Sequence, residues 1–296
     1  MYYAFNVSET TRFAPSPTGL LHLGHAFAAI AAHAAAGSGR FLLRIEDLDR
    51  GRSRDQFIAA IVEDLHWLGL SWEEPVLQQS LRSDAYRLAL AKLEQLGLLY
   101  PCFCSRREIA DEIAGSVHAP HAAQLDSSIY PGTCRALSDS EREQRSAAGE
   151  RFAIRLDAQK ASTLCGALTF EELGNKLVDG MRGHRGIVTV NPVRFGDFVM
   201  ARKDLPASYH LAVVVDDAFQ GVTLVTRGSD LFSATHVQRV LQSLLGLPQP
   251  RYAHHRLILD EGGGKFSKRD QAVTLRSLRE SGVTPEQVRH RIGAGR

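Results

Sequence analysis

The chain has 296 residues, 44% of them hydrophobic and 23% charged, as expected of a globular protein with a substantial core in one large or two modest domains. With a formal net charge of +2 no polybasic arm dominates, so any contact with nucleic acid is expected to be a local patch. No apolar run is long enough to span a membrane, residues 1–11 lack the features of a secretory signal, and four cysteines without an export signal point to a reducing cytoplasm.

The first predicted strand begins near Arg12. Pro15, Pro17 and Gly19 then interrupt regular structure and mark a strand-to-helix turn. A helix is expected from near His22, running into the Ala-rich stretch Ala26–Ala36, and its first N–H groups form an anion site. His22 and His25 fall on one face of the first turn, with Gly24 between them leaving room for close approach by a nucleoside triphosphate. Alone, such a pair is more often a cap or a satisfied core pair. The surrounding letters distinguish this one: Arg12-Phe13-Ala14-Pro15-Ser16-Pro17-Thr18-Gly19 followed by His22-Leu23-Gly24-His25 closely resembles the first signature of class I aminoacyl-tRNA synthetases in its glutamyl version. The resemblance implies that His22 and His25 act on ATP and that Arg12, Phe13, Ala14, Pro15 and Ser16 border the glutamate site.

Arg40–Ile45 reads as a buried strand ending in Glu46-Asp47-Leu48-Asp49. Helical spacing follows over Asp55–Leu68, with Phe57, Ile61, Leu65 and Leu68 on one face, and again from Asp84 to about Leu96, stopped by Gly97. This alternation suggests a doubly wound α/β sheet, in which ligands gather at the carboxyl ends of strands. Glu46 sits at such an end, where an acidic residue is commonly a cap or a surface group. Arg-Ile-Glu-Asp-x-Asp recurs in glutamyl synthetases, and that resemblance implies that Glu46 holds the substrate ammonium group.

From Pro101 to about Val190 the chain reads as an insertion between two halves of the sheet. It contains an exposed helix over Ser138–Ala148 and loops around Gly180, Gly183 and Gly186. Cys102, Cys104 and Cys134 are one ligand short of a closed Zn²⁺ site, and Cys165, His118, His121 and Tyr130 are the candidates for the fourth. A bare Cys-x-Cys is more often a pair of ordinary thiols. Followed by Tyr-x-x-x-Cys, however, it is similar to the zinc site of the short glutamyl-synthetase paralogues that modify queuosine in tRNA(Asp). That similarity implies Tyr130 as the fourth ligand, an unusual one because free tyrosine titrates near ~10. Cys165, between Leu164 and Gly166, reads as a buried thiol.

Ser208–Asp217 re-enters the apolar core as strand or helix. Its valine run favours strand, while Tyr209 and Val213 would share a face in a helix. Val222–Thr226 is a predicted strand, Ser233–Leu245 an amphipathic helix and Arg251–Leu259 a further strand. Tyr209 and Arg227 are by default a packing and a surface residue. The glutamyl resemblance places both in the amino-acid pocket with Arg12, where two carboxylates call for guanidinium and hydroxyl donors. Val213 stands where discriminating synthetases usually have Asn, which implies weaker glutamate binding, a loss shared by the queuosine-modifying paralogues. Gly262–Gly264 and Lys265-Phe266-Ser267-Lys268 then resemble the second class I signature, implying that Lys265 and Lys268 close over phosphates. Arg276, Arg279, Arg289 and Arg291 form either an RNA contact or, the favoured reading, a solvated helix face; the expectation is of a chain without the helical anticodon-binding region of glutamyl-tRNA synthetases.

The resemblance spans Arg12 to about Arg269. It implies a Rossmann-like, doubly wound parallel sheet of the class I synthetase type, split by a zinc-containing insertion. The expected divisions are a first catalytic half over 1–100, the insertion over 101–190, a second half over 191–260 and the lysine loop with a short tail over 261–296. The implied activity is ATP-dependent formation of glutamyl-adenylate, with Mg²⁺ beside ATP, and transfer of glutamate to queuosine-containing tRNA(Asp) by a cytoplasmic monomer. The alternatives are a truncated tRNA-charging glutamyl synthetase, a nucleotidyltransferase of the H-x-G-H type, and a silent synthetase-like binder. The pocket residues and lysine loop weigh against the second, and the intact His22, His25, Lys265 and Lys268 against the third.

Overall fold

The computed structural model describes residues 8–105, 107–109, 130–174, 185–202, 204–258 and 273–294. Strands β1 (Thr10–Phe13), β2 (Arg40–Ile45) and β3 (Glu73–Gln78) form a parallel sheet in that order, connected through helices α1 (Leu23–Ala36) and α2 (Asp55–Trp67). Helix α3 (Ser83–Gln95) follows, and Gly97 turns the chain out of it with φ of 67°.

A second sheet contains β6 (Thr169–Glu172), β7 (Gly186–Thr189), β9 (Leu224–Gly228) and β10 (Arg251–His255), in the order β7-β6-β10-β9. It is parallel except for β7. The two sheets meet at a pair of threonines: Thr223 N–H donates to the Thr10 carbonyl at 2.9 Å, and Thr10 N–H donates to the Thr223 hydroxyl at 2.9 Å. β1 therefore lies beside β9, and the strands follow one another as 3-2-1-9-10-6-7. A smaller antiparallel sheet pairs β4 (Leu99–Cys102), β5 (Ala153–Leu156) and β8 (Val199–Arg202), with α4 (Asp139–Ala147) and α5 (Ala158–Cys165) beside it in sequence. Strand pairing thus crosses residue 190: β6 and β7 extend the large sheet, whereas β8 returns to β5. Ser138 caps α4 with a reciprocal Glu141 bond, and the helix buries no residue, in keeping with its charged sequence.

Helices cover both faces of the large sheet, and β2 shows why its sequence is apolar nearly throughout. Phe41, Leu43 and Ile45 join α1 and α2 in one core cluster. On the opposite face Leu42 packs with Val225 and Tyr252, while Arg44 reaches Asp217 of α6 (Tyr209–Phe219).

The valine run within α6, expected as strand, is helical. Ser208 caps it by accepting the Leu211 N–H at 3.3 Å, and Leu211, Ala212, Val213 and Val214 are buried in a cluster shared with α3 and α7 (Phe232–Leu245). β-propensity reflects fit to a pleated surface, and burial between helices overrides it here. No helix among the described residues is long and apolar enough to cross a membrane.

Short helices α8 (Leu275–Glu280) and α9 (Pro285–Arg291) dock through Leu275, Leu278, Val288 and Ile292 onto the α1–α2 core. Two of the tail arginines secure this docking: Arg279 pairs with Glu63 at 2.5 Å and lies 3.7 Å from Asp64, and Arg289 donates to the Leu68 carbonyl at 2.8 Å. Both Asp64 oxygens are buried without a hydrogen bond, and burial, opposed by Arg279 and Arg276, pushes the carboxyl up to about 6. The stability this group contributes is present below its unfolded pKa of ~4 and is lost as pH rises through about 6. Asp64→Asn is therefore expected to stabilise the fold by about 1–2 kcal/mol at neutral pH and by little at pH ~4. Thermal unfolding at the two pH values checks this, and equal shifts would refute it.

Candidate active site and metal centre

The carboxyl ends of β1 and β2 are tied together before any side chain is considered. Glu46 N–H donates to the Pro15 carbonyl at 3.0 Å and Arg54 N–H to the Pro17 carbonyl at 3.1 Å. Asp47 accepts from the Ser80 N–H at 2.8 Å and the Ser80 hydroxyl at 2.6 Å, anchoring the same corner to the end of β3. Along the loop Pro15 is buried, Ala14 is half-buried and Ser16 is exposed, while the Phe13 ring belongs to the α1–α2 core.

The loop delivers His22 as the N-cap of α1. Its Nδ1 accepts the Gly24 N–H at 3.1 Å, and the His22 N–H donates to Nδ1 of His25 at 3.2 Å. With both Nδ1 atoms acting as acceptors, each neutral ring carries its proton on Nε2. The rings lie 3.8 Å apart between centroids. Two imidazole donors and the first N–H groups of α1 thus share one corner, an arrangement suited to phosphate oxygens. A Cβ on Gly24 would stand 3.0 Å from His22 Cε1, so glycine is what lets the ring lie against the backbone. If this corner takes ATP, as the resemblance implies, Gly24→Ala should raise the KM for ATP severalfold by displacing that ring. The unfolding midpoint should not fall, because alanine favours the helix by about 1 kcal/mol. A variant with unaltered ATP KM would show the contact to be immaterial.

On the α6 side of the sheet, Arg12 and Arg44 converge on one buried carboxylate. Arg12 Nε and Nη2 donate to Asp217 at 2.9 and 3.4 Å, and its Nη1 donates to the Thr226 carbonyl at 3.3 Å. Arg44, fully buried, donates from Nη1 to Asp217 at 2.7 Å and to Gln220 at 3.0 Å, and its Nη2 lies 3.6 Å from Glu46. Burial works against the Arg44 charge, but Asp217 and Glu46 outweigh it and hold its pKa above the ordinary value. Burial would also raise Asp217, yet the two arginines bring it below the usual carboxylate range. Glu46 ends up raised: burial dominates over Arg44 and Arg12. Arg12 and Glu46 are thereby parts of one electrostatic unit.

On α6, Asp217 turns toward Arg12, whereas Tyr209, half-buried, and Val213, buried, pack in the cluster shared with α3 and α7. Arg227, on β9 next to the carbonyl that Arg12 contacts, is itself buried and bonds Gln238, Thr235 and His254 at 2.7, 2.6 and 3.0 Å. Lys265 and Lys268 lie outside the described residues. Beyond that segment, Leu275 N–H donates to the Leu21 carbonyl at 2.8 Å, and Thr274 forms a bridge with His22. The chain leaving the lysine signature is thus stitched to the histidine signature.

Asp217 and Arg44 were not singled out from the sequence. The available signals were an acidic pair closing an otherwise apolar run and an arginine inside a strand buried on both faces; each needs a partner of opposite charge.

At the end of β4 the Sγ atoms of Cys102, Cys104 and Cys134 lie within 4.8 Å of one another, a cluster that can hold a metal ion. Tyr130 joins them: its hydroxyl lies 3.7 Å from Cys104 Sγ and accepts the Cys134 N–H at 2.8 Å, and the Arg155 guanidinium stands 3.9 Å from its ring centre. Phe103 N–H donates to Cys134 Sγ at 3.3 Å. Burial raises Cys134, but the Phe103 N–H and the Tyr130 hydroxyl bring it below the ordinary thiol value; burial pushes Cys104 up to about 12. Such a donor set suits a soft or borderline divalent cation, whose charge would offset that of the thiolates. Cys165 stands apart, half-buried, its Sγ 4.0 Å from the Val240 carbonyl. His118 and His121 lie outside the described residues.

A doubly wound sheet with paired histidines at the first helix and a charged pocket at its strand ends defines an enzyme of the class I aminoacyl-tRNA synthetase type. Residues 9–293 match the family model for tRNA synthetases class I (E and Q), catalytic domain, and the chain belongs to that family. It is 49% identical to the Glutamyl-Q tRNA(Asp) synthetase of Rhodobacter capsulatus over 289 residues, 96% of this chain and 99% of that protein. It is 41% identical to the glutamate–tRNA ligase of Aquifex aeolicus, covering 94% of this chain but 55% of the ligase. The crystal structure of a glutamate tRNA ligase from Elizabethkingia meningosepticum in complex with its amino acid superposes with a TM-score of 0.74 at 27% identity; 95% of this chain spans 59% of that one.

Proposed function

We propose that this protein activates L-glutamate with ATP and transfers the glutamyl group to queuosine in tRNA(Asp). What carries the reading is the 49% identity with the R. capsulatus protein across 99% of that protein's length. A glutamate carboxylate oxygen attacks the α-phosphate in line, pyrophosphate leaves, and glutamyl-adenylate remains; positioning and charge neutralisation do most of the work. Glu46 takes the substrate ammonium. Arg12 and Arg227, with Tyr209 and the edge formed by Phe13, Ala14, Pro15 and Ser16, take the carboxylates. Nε2–H of His22 and of His25, with Lys265 and Lys268, donates to phosphate oxygens as charge moves onto pyrophosphate. Mg²⁺ bound with ATP would supply further neutralisation. Cys102, Cys104, Tyr130 and Cys134 would hold Zn²⁺, whose role in the segment over 101–190 would be structural. The protein acts as a cytoplasmic monomer.

Labelled glutamate and ATP offered with tRNA(Asp) containing or lacking queuosine, and with tRNA(Glu), test this directly. Label is expected on queuosine-containing tRNA(Asp) alone. Label on tRNA(Glu) would make the protein a charging synthetase, and absence of glutamate-dependent pyrophosphate exchange would remove the activity altogether.

A further inference from the structure

We infer that Glu172 and His254 are positioning residues: Glu172 fixes one tautomer of the His254 ring, and that tautomer holds Arg227 in place for glutamate. This rests on the proposed role of Arg227 in the glutamate pocket.

Glu172, on β6, is 2% exposed. Its Oε1 accepts two backbone N–H groups, those of His254 and Gly174, each at 3.0 Å. Its Oε2 lies 2.6 Å from His254 Nδ1. An ionised carboxylate can only accept, so the ring proton sits on Nδ1 and leaves Nε2 as an acceptor. Onto Nε2 comes the Arg227 Nε–H at 3.0 Å, with the Thr235 hydroxyl 3.3 Å away. That hydroxyl accepts Arg227 Nη2 at 2.6 Å, and Gln238 Oε1 accepts Nη1 at 2.7 Å. Three buried groups from β10 and α7 thus fix the guanidinium plane. Each terminal nitrogen carries a second N–H beyond these bonds, the donors left for a carboxylate.

The charged and titratable groups around the His254 ring are Glu172, Arg227, Asp230 and His255. Burial, with Arg227 adding to it, outweighs the acidic neighbours and holds the imidazole neutral.

An isosteric change can reverse the relay. In Glu172→Gln the amide oxygen must remain opposite the two backbone N–H groups, which turns the amide NH₂ toward Nδ1. The His254 proton then moves to Nε2, where it faces the Arg227 Nε–H, donor against donor. E172Q is therefore expected to raise the KM for glutamate in ATP–pyrophosphate exchange by roughly tenfold or more, with the KM for ATP within about twofold. His254→Leu, which removes the acceptor, should do the same, while His254→Gln, which returns one, recovers most of the loss.

The decisive measurement is E172Q in the H254L background. With no ring to orient, the glutamate KM of the double variant should be no higher than that of H254L alone, whereas a merely structural role for Glu172 would add a defect of its own. Ring ¹⁵N shifts of His254 read the proton position independently of activity. A single E172Q with unchanged glutamate KM, or a defect that adds to that of H254L, would overturn the relay while leaving the proposed function intact. A wild-type protein that neither binds glutamate nor exchanges pyrophosphate would overturn both.

Discussion

Replacing Arg12 with Ala is expected to lower kcat/KM for glutamate in pyrophosphate exchange by at least about a hundredfold, with ATP affinity within about threefold. The reason lies in how Arg12 is held. Asp217 accepts from its Nε and Nη2 and the Thr226 carbonyl from its Nη1, so the guanidinium is oriented before any substrate arrives. Arg12 also helps to restrain the pKa of Glu46, the proposed ammonium anchor, so its removal should affect recognition at both ends of the amino acid. A stability cost is expected too, but a modest one for a buried ion pair, because Arg44 remains on Asp217 at 2.7 Å. Arg12→Lys separates the two effects. Lysine keeps the charge beside Asp217 and should restore most of the stability, yet a point charge cannot serve Asp217 and a substrate carboxylate as a planar fork does. Exchange activity close to wild type in Arg12→Ala, measured on folded protein, would reduce Arg12 to a structural partner of Asp217.

Motif residues were legible in the sequence because each sits where the chain has little choice. Pro15, Pro17 and Gly19 leave room only for a turn, and His22 with Gly24 and His25 makes a cap that is recognisable at short range. The β2 strand and helices α1 through α3 were equally plain, since their apolar spacing is local. What the sequence did not reveal depends on long-range partners. The valine run of α6 reads as strand until α3 and α7 are known to enclose it. Asp217 meets Arg12 across 205 residues and Arg44 across 173, and Glu172 meets His254 across 82. Nothing in the local letters reports these pairings. The only local hint is that buried charges must have partners somewhere.

The metal centre should give the other large effect. Purified protein is expected to carry about one zinc per chain, and Cys134→Ala to carry almost none. Chelation should lower the unfolding midpoint by at least about 5 °C. The described core around the site is small: Tyr100, Cys102, Phe103, Tyr130 and Cys134 form the buried cluster, with Cys104, Ile109 and Leu137 partly buried against it. So few apolar groups stabilise little by burial, and a cross-link between the end of β4 and the segment at Tyr130–Cys134 would contribute most of what holds the two together. Tyr130 is the sharper test. Burial and the hydrogen bonds with the cysteine thiols hold the Tyr130 hydroxyl above its ordinary pKa although the Cys134 N–H on its oxygen favours a phenolate; a bound cation would overturn that balance. Tyr130→Phe is therefore expected to retain zinc with affinity weakened by about tenfold or more, and to lose a tyrosinate absorbance that the wild type gains on metal binding. If Tyr130→Phe binds zinc as tightly as wild type and the difference spectrum is unchanged, the phenol is a neighbour of the three thiolates rather than their partner, and the fourth ligand must be sought elsewhere.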